Sequence, residues 1–134
     1  MISNSGKDKL CPFCQSLEVV AEHNSVFAIK DNYPVTKGHH LIIPFSHTEN
    51  YFSMTDKERE DATALLKALK SKLEEGDPTI TGFNIGMNSG KTAGQTVMHS
   101  HIHLIPRRKG DLEDPKRVKG GVRHVIPLKG YYDR

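Results

Sequence analysis

The sequence predicts a single α+β domain, and three observations carry that reading. Short β-type runs rich in Val, Ile and Phe recur at residues 26–31, 39–44, 81–87 and 95–105. One longer stretch, 55–75, instead repeats its leucines at helical spacing. Joints rich in glycine and proline separate these segments.

Taken in order, residues 26–31 read as a first strand, followed by turn chemistry at Asn32, Pro34 and Gly38. Residues 39–44 read as a second strand, ended by Pro44, which has no N–H to give to a ladder. Thr55 and Glu58 form a capping box. The hydroxyl accepts from the third helical N–H and the carboxylate reaches back to the cap. Behind it Ala62, Leu65, Leu66, Leu69 and Leu73 share one helical face, and Gly76-Asp77-Pro78 stops the helix. Residues 81–87 read as a third strand. A glycine-rich connection, 88–94, leads into a fourth, 95–105. This order predicts an antiparallel meander beside one helix. Residues 108–134 read as an extended basic tail with a turn at Gly120-Gly121.

Hydrophobic residues make up 36% of the 134, enough for one modest core. The longest apolar run is a few residues, far below the roughly 20 that span a bilayer, so no membrane partner is expected. The first ten residues lack the apolar centre of a signal peptide, which predicts a cytoplasmic protein. The net charge of +3 is unevenly spread: residues 107–134 hold nine Lys/Arg against four Asp/Glu. That excess would draw a phosphate-bearing substrate. It is too mixed in sign, and too poor in aromatics, to read as a nucleic-acid surface.

His99, His101 and His103 fall on alternating positions, so a strand there would turn all three imidazoles to one face. Three roles are open to them. A His-x-His pair can share a metal; the histidines can pack structurally; or one can attack phosphorus while a neighbour supplies protons and charge. The preceding segment favours the last. Gly90 and Gly94 let backbone N–H groups approach an anion closely, and Asn88, Gln95 and Thr96 add side-chain donors.

The run His99-Ser100-His101-Ile102-His103 resembles the signature of the histidine triad superfamily, in which apolar residues separate the histidines. The segments 34–44 and 84–97 resemble that family's first histidine-bearing strand and its phosphate-binding approach, and the likeness runs from Cys11 to Arg107. The resemblance implies a five-stranded antiparallel sheet with one main helix, assembled as a homodimer. It also implies two-step cleavage of a nucleoside 5′-polyphosphate, with an adenine nucleotide as the expected ligand. His101 would attack the α-phosphorus and form a nucleotidyl-histidine. His103 would hydrogen-bond the phosphoryl oxygens and His39 would support the charged centre. Asn88, Gly94, Gln95 and Thr96 would hold the phosphate, and Asp31 the ribose hydroxyls. Ser100 departs from the apolar pattern. Pro106-Arg107 followed by Gly110-Asp111 resembles the fragile-histidine-triad branch, which implies dinucleoside polyphosphate hydrolysis. A nucleoside phosphoramidase, a dinucleoside polyphosphate phosphorylase and a non-catalytic nucleotide sensor are the alternatives.

Cys11 and Cys14 are the only cysteines. A Cys-x-x-Cys pair serves as a redox dithiol, as half a zinc site, or as neither. Some histidine triad proteins pair such cysteines with two histidines, which the resemblance places here at His47 and His99. It therefore implies a structural zinc on Cys11, Cys14, His47 and His99, and no organic cofactor. Such a zinc would remove His99 from catalysis.

Overall fold

The structure, a computed structural model, describes residues 10–15 and 17–133. The polar lead over residues 1–9 lies outside the described residues. The chain enters its sheet through a hairpin. Ala21–His23 (β1) turns at Asn24 and Ser25 into Val26–Lys30 (β2). Asn24 takes a positive φ of 50°, a conformation asparagine tolerates better than most residues. The buried Asp61 carboxylate holds this turn. It accepts from the Ser25 backbone N–H at 3.2 Å, the Ser25 hydroxyl at 2.6 Å and the Asn24 amide at 3.3 Å, and pairs with Lys57 at 2.9 Å. With so many donors, Ser25 first and Lys57 second, the carboxyl is held well below the usual carboxylate range.

β2 pairs antiparallel with His40–Pro44 (β3), setting Phe27 opposite Ile43 and Ile29 opposite Leu41. Both faces of the pair are apolar because both are covered. Val26, Ala28 and Ile42 pack with Leu65, Leu69 and Leu104. Phe27, Ile29, Leu41 and Ile43 meet Phe13 and Leu17 on the other side. The helix, Asp56–Gly76 (α1), begins at the expected capping box: Glu58 N–H donates to the Thr55 hydroxyl at 3.0 Å, and Thr55 N–H to the Glu58 carboxylate at 2.8 Å. No helix among the described residues is long and apolar enough to cross a membrane.

The sheet closes with Ile80–Gly86 (β4) and Ile102–Arg108 (β5), giving five antiparallel-paired strands in the order β1-β2-β3-β5-β4. Three expectations need correction. The sheet is not a simple meander, because β5 inserts between β3 and β4. β1 completes the five strands that the resemblance implies but is missing from the run-by-run reading, because its three residues carry no apolar alternation: Glu22 and His23 are exposed. The fourth predicted strand starts at Ile102, not near Gln95. Its ladder with β3 reaches only Ile42 opposite Ile102. Two residues further along β3 lies Pro44, which has no N–H, and whose carbonyl instead accepts from the His99 imidazole at 2.8 Å.

The tail is not extended either. It makes short 3₁₀ turns at Pro115–Arg117 and Gly121–Val125, with Gly120 at φ 62° between them. The Arg123 guanidinium donates to the Gly130 carbonyl at 3.0 Å and lies over the Tyr132 ring.

Candidate active site

The break in the ladder decides how the histidines are displayed. Only His103 stands on β5; His99 and His101 lie on the irregular approach to it. The three imidazoles nonetheless follow one another on one side of the sheet, where the Phe13 ring lies 6.1 Å from His99 and 5.0 Å from His101, and His101 lies 5.3 Å from His103. The His101 Nδ1 lies 2.8 Å from the His99 carbonyl. A carbonyl only accepts, so Nδ1 carries the proton and Nε2 keeps a free lone pair. The His101 ring is 93% buried, with Phe13 at 5.0 Å and His103 at 5.3 Å between ring centroids.

A second chain of hydrogen bonds fixes His103. The Val35 backbone N–H donates to His39 Nδ1 at 3.1 Å, so neutral His39 carries its proton on Nε2. That proton lies 2.9 Å (heavy-atom separation) from His103 Nδ1, with Asp31 Oδ2 next nearest at 3.3 Å. His103 Nδ1 is thereby an acceptor, and its Nε2–H is left as a donor. Burial, reinforced by His101 and His39, pushes the His103 imidazole down to about 4. Burial also lowers His39, against the opposing pull of Asp31. His39 and His103 are thus held neutral, and the Nε2 of His101, left without a partner by the bond at Nδ1, lies on the neighbouring ring.

Two clusters have metal-ligating residue types within 4.8 Å of one another. In the first, His99 Nδ1 lies 3.4 Å from both Cys11 Sγ and Cys14 Sγ, and His47 Nδ1 lies 3.2 Å from Cys14 Sγ. A tetrahedral zinc with bonds of about 2.3 Å to sulfur and 2.0–2.1 Å to nitrogen needs sulfur–nitrogen edges of roughly 3.5 Å. His99 Nε2–H is spent on the Pro44 carbonyl, so Nδ1 faces the sulfurs bare, in the way a ligating histidine is braced by its outer partner. Burial raises the Cys11 thiol, a cost that a bound cation would remove. These four residues fit a closed zinc site. The second cluster, Asp31, His39 and His103, does not fit one. The nitrogen that His39 turns inward is the one carrying the proton.

The glycine connection folds back on itself. Gly90 and Gly94 both take φ 97°. Gln95, expected to donate to phosphate, is 96% buried and braces this loop instead. Its amide donates to the carbonyls of Glu49 at 2.6 Å and Val97 at 3.0 Å, and its carbonyl accepts from Gly90 N–H at 2.8 Å. Asn88 lines a cleft of about 420 Å³ with His39 and His103. Thr96 and Gly94 are exposed on the loop. Asp31 Oδ1 accepts from Tyr33 N–H at 2.8 Å, and Oδ2 sits against the imidazoles. Ser100 is fully buried with its N–H and hydroxyl both on the Thr48 carbonyl, at 2.6 and 3.0 Å, which accounts for a polar residue at that position.

Three features escaped the sequence reading. Phe13, between the cysteines, packs edge-on against His99 and His101. Val122 and Val125 of the tail wall the cleft; two valines in a polar segment carry no periodic signal. The first two arginines of the basic segment are also already paired: Arg107 forks onto Asp111 at 2.7 and 2.9 Å, and Arg108 pairs with Asp77 at 2.9 Å.

Comparison with known proteins agrees with this geometry. The model of the HIT domain matches residues 15–110. An uncharacterized HIT-like protein of Saccharolobus solfataricus is 31% identical over 138 aligned positions, covering 92% of this chain and 91% of the relative. Among solved structures, a zinc-bound histidine triad family protein from Mycobacterium smegmatis superimposes with a TM-score of 0.70 at 32% identity, covering 81% of this chain and 85% of that one. A HIT family hydrolase from Clostridium thermocellum gives a TM-score of 0.61 at 32% identity, covering 77% and 95%. The matched domain spans most of the sheet, the helix and all the histidines described above, and on that extent of agreement the chain belongs to the HIT domain family.

Proposed function

We propose that this protein is a nucleotide hydrolase that cleaves a nucleoside 5′-polyphosphate at its α-phosphorus, with a dinucleoside polyphosphate as substrate. The observation that carries this reading is the pairing of His101, whose Nε2 is left bare, with His103, whose Nε2 is left a donor. His101 Nε2 attacks the α-phosphorus, an N–P bond forms, and the P–O bond to the departing nucleotide breaks. Water then attacks the same phosphorus, the N–P bond breaks, and the nucleoside monophosphate leaves as His101 regains its lone pair. His103 donates to a phosphoryl oxygen throughout, where negative charge accumulates. Asn88, Gly94 and Thr96 hold the phosphate, and Gln95 acts by holding their loop. Asp31 takes the ribose diol. The hydrolase from Clostridium thermocellum supports the reaction class.

The covalent step is directly testable. Phosphoramidate bonds survive alkali and break in acid. Mixing with labelled diadenosine tetraphosphate followed by an alkaline quench within one turnover is expected to leave label on His101. Adenosine phosphoramidate, and added inorganic phosphate as acceptor, run in parallel arms identify the leaving group and the acceptor. Absence of label under single-turnover conditions would favour direct attack by water.

A zinc on Cys11, Cys14, His47 and His99 would serve structure, since four protein ligands leave no open position. The polypeptide partner we propose is a second copy. β4 ends the sheet, and its outer edge exposes Ile85 by 54% beside Met87 and Leu66. Unpaired strand edges with apolar side chains are templates for pairing. Sedimentation is expected to give the dimer mass, and a monomer at micromolar concentration removes the assignment. The cytoplasm remains the proposed location.

A further inference from the structure

The sheet face opposite the triad carries a cavity that none of this chemistry uses. It lies between the C-terminal end of α1 and the sheet, and holds about 680 Å³, within the usual range for small-molecule pockets. Its floor is apolar, formed by Val20, Leu69, Leu73 and Ile80. Its rim carries Lys30, Lys37 and Lys72, none with a carboxylate partner among the described residues. Arg108 is also at the rim but is neutralised by Asp77.

His40 gives the cavity its chemistry. It follows His39 on the sequence, so the two imidazoles project to opposite faces of the sheet. His40 is 95% buried and lines the cavity wall. Its Nδ1 lies 2.6 Å from the Gly38 carbonyl, so Nδ1 carries the proton and Nε2 is a bare acceptor. No hydrogen bond to that nitrogen occurs among the described residues. An acceptor that opens into a cavity beside apolar walls favours a ligand that brings its own donor.

We propose that this cavity binds a phosphorylated small molecule whose apolar ring carries an N–H or O–H donor. The ring lies on the floor, its donor meets His40 Nε2, and the phosphate meets the lysines. Three unpaired ammonium groups around one opening suit a dianion better than a single carboxylate.

Pyridoxal 5′-phosphate is a suitable probe, with a phosphate, an aromatic ring and a phenolic hydroxyl. Its aldehyde condenses with a lysine amine, releasing water, and borohydride reduces the imine to a stable amine. Peptide mapping then reads which lysine was close. Label on Lys30, Lys37 or Lys72 is expected to exceed that on the exposed Lys67, Lys91 and Lys109 by about tenfold at low probe concentration. Gly76, at the cavity edge, has open space where a side chain would go, so Gly76→Phe is expected to block entry and abolish the preference without changing the melting curve. Excess phenyl phosphate is expected to do the same in the unaltered protein. Even labelling of all six lysines overturns the proposal, as does a preference that survives both the substitution and the competitor.

Discussion

His101→Ala is expected to lower turnover of a dinucleoside polyphosphate by at least about 10³-fold while leaving nucleoside monophosphate binding within a few-fold of the unaltered protein. The size follows from what the residue supplies. Without Nε2 there is no acceptor for the phosphoryl group in the first step, and water must attack without the covalent stage. A loss of 10³ corresponds to about 4 kcal/mol of barrier. Binding is spared because the groups proposed to hold the ligand lie elsewhere. His103 keeps its orientation from His39, and the glycine loop keeps its brace from Gln95. Single-turnover rates and equilibrium titration with adenosine monophosphate separate the two effects. Wild-type turnover in the variant would take His101 out of the role. Tight nucleotide binding with no turnover in the unaltered protein would instead identify a sensor.

Helix α1 was legible because its signals are local. Thr55, Glu58 and Gly76 act within a turn of the residues they cap or stop. Strands β2 and β3 were legible because they are apolar on both faces, which requires cover on both sides. The start of β5 was not legible. Val97 and the alternating histidines satisfy a strand pattern, but a strand needs a partner with free N–H and C=O groups. Pro44 supplies neither once His99 takes its carbonyl. Nor was the strand order legible, since insertion of β5 between β3 and β4 depends on pairings at least 17 residues apart with β4 and at least 60 apart with β3.

Around the site, residue types were readable and their division of labour was not. The sequence brings Gln95 forward as a donor, and it is one, but its amide N–H groups go to the carbonyls of Glu49, in the loop after β3, and Val97, on the approach to β5. It likewise suggests one row of three histidines. The structure gives its members different partners: His99 Nε2 and His101 Nδ1 each face a backbone carbonyl, while His103 Nδ1 faces the His39 imidazole. The tautomers of His99 and His103 are set by partners 55 and 64 residues away, beyond any spacing rule, whereas that of His101 is set by the carbonyl of His99 two residues before it.

The same reasoning predicts the largest stability effect. Removing the proposed zinc ligand Cys14 as Cys14→Ala, or stripping the protein with a strong chelator, is expected to lower the melting temperature by about 12–25 °C. The estimate comes from topology. A zinc on these ligands would close the chain from Cys11 and Cys14 to His47 and to His99, joining residues 33 and 85 or more apart. By analogy with a covalent cross-link, closing a loop of that length restricts the unfolded chain by on the order of 4–5 kcal/mol. For a domain of this size, each kcal/mol moves the melting temperature by about 3–5 °C. Turnover per folded molecule is expected to fall much less, because His101 is oriented by the His99 backbone carbonyl rather than by its imidazole. Metal analysis of the purified protein, paired with melting curves before and after chelation, tests both parts. One zinc per chain with a large melting shift supports the site. A protein with no stoichiometric metal and an unchanged melting curve would leave the four side chains as a packed cluster, held by burial of Cys11 and His99 and by the edge of Phe13.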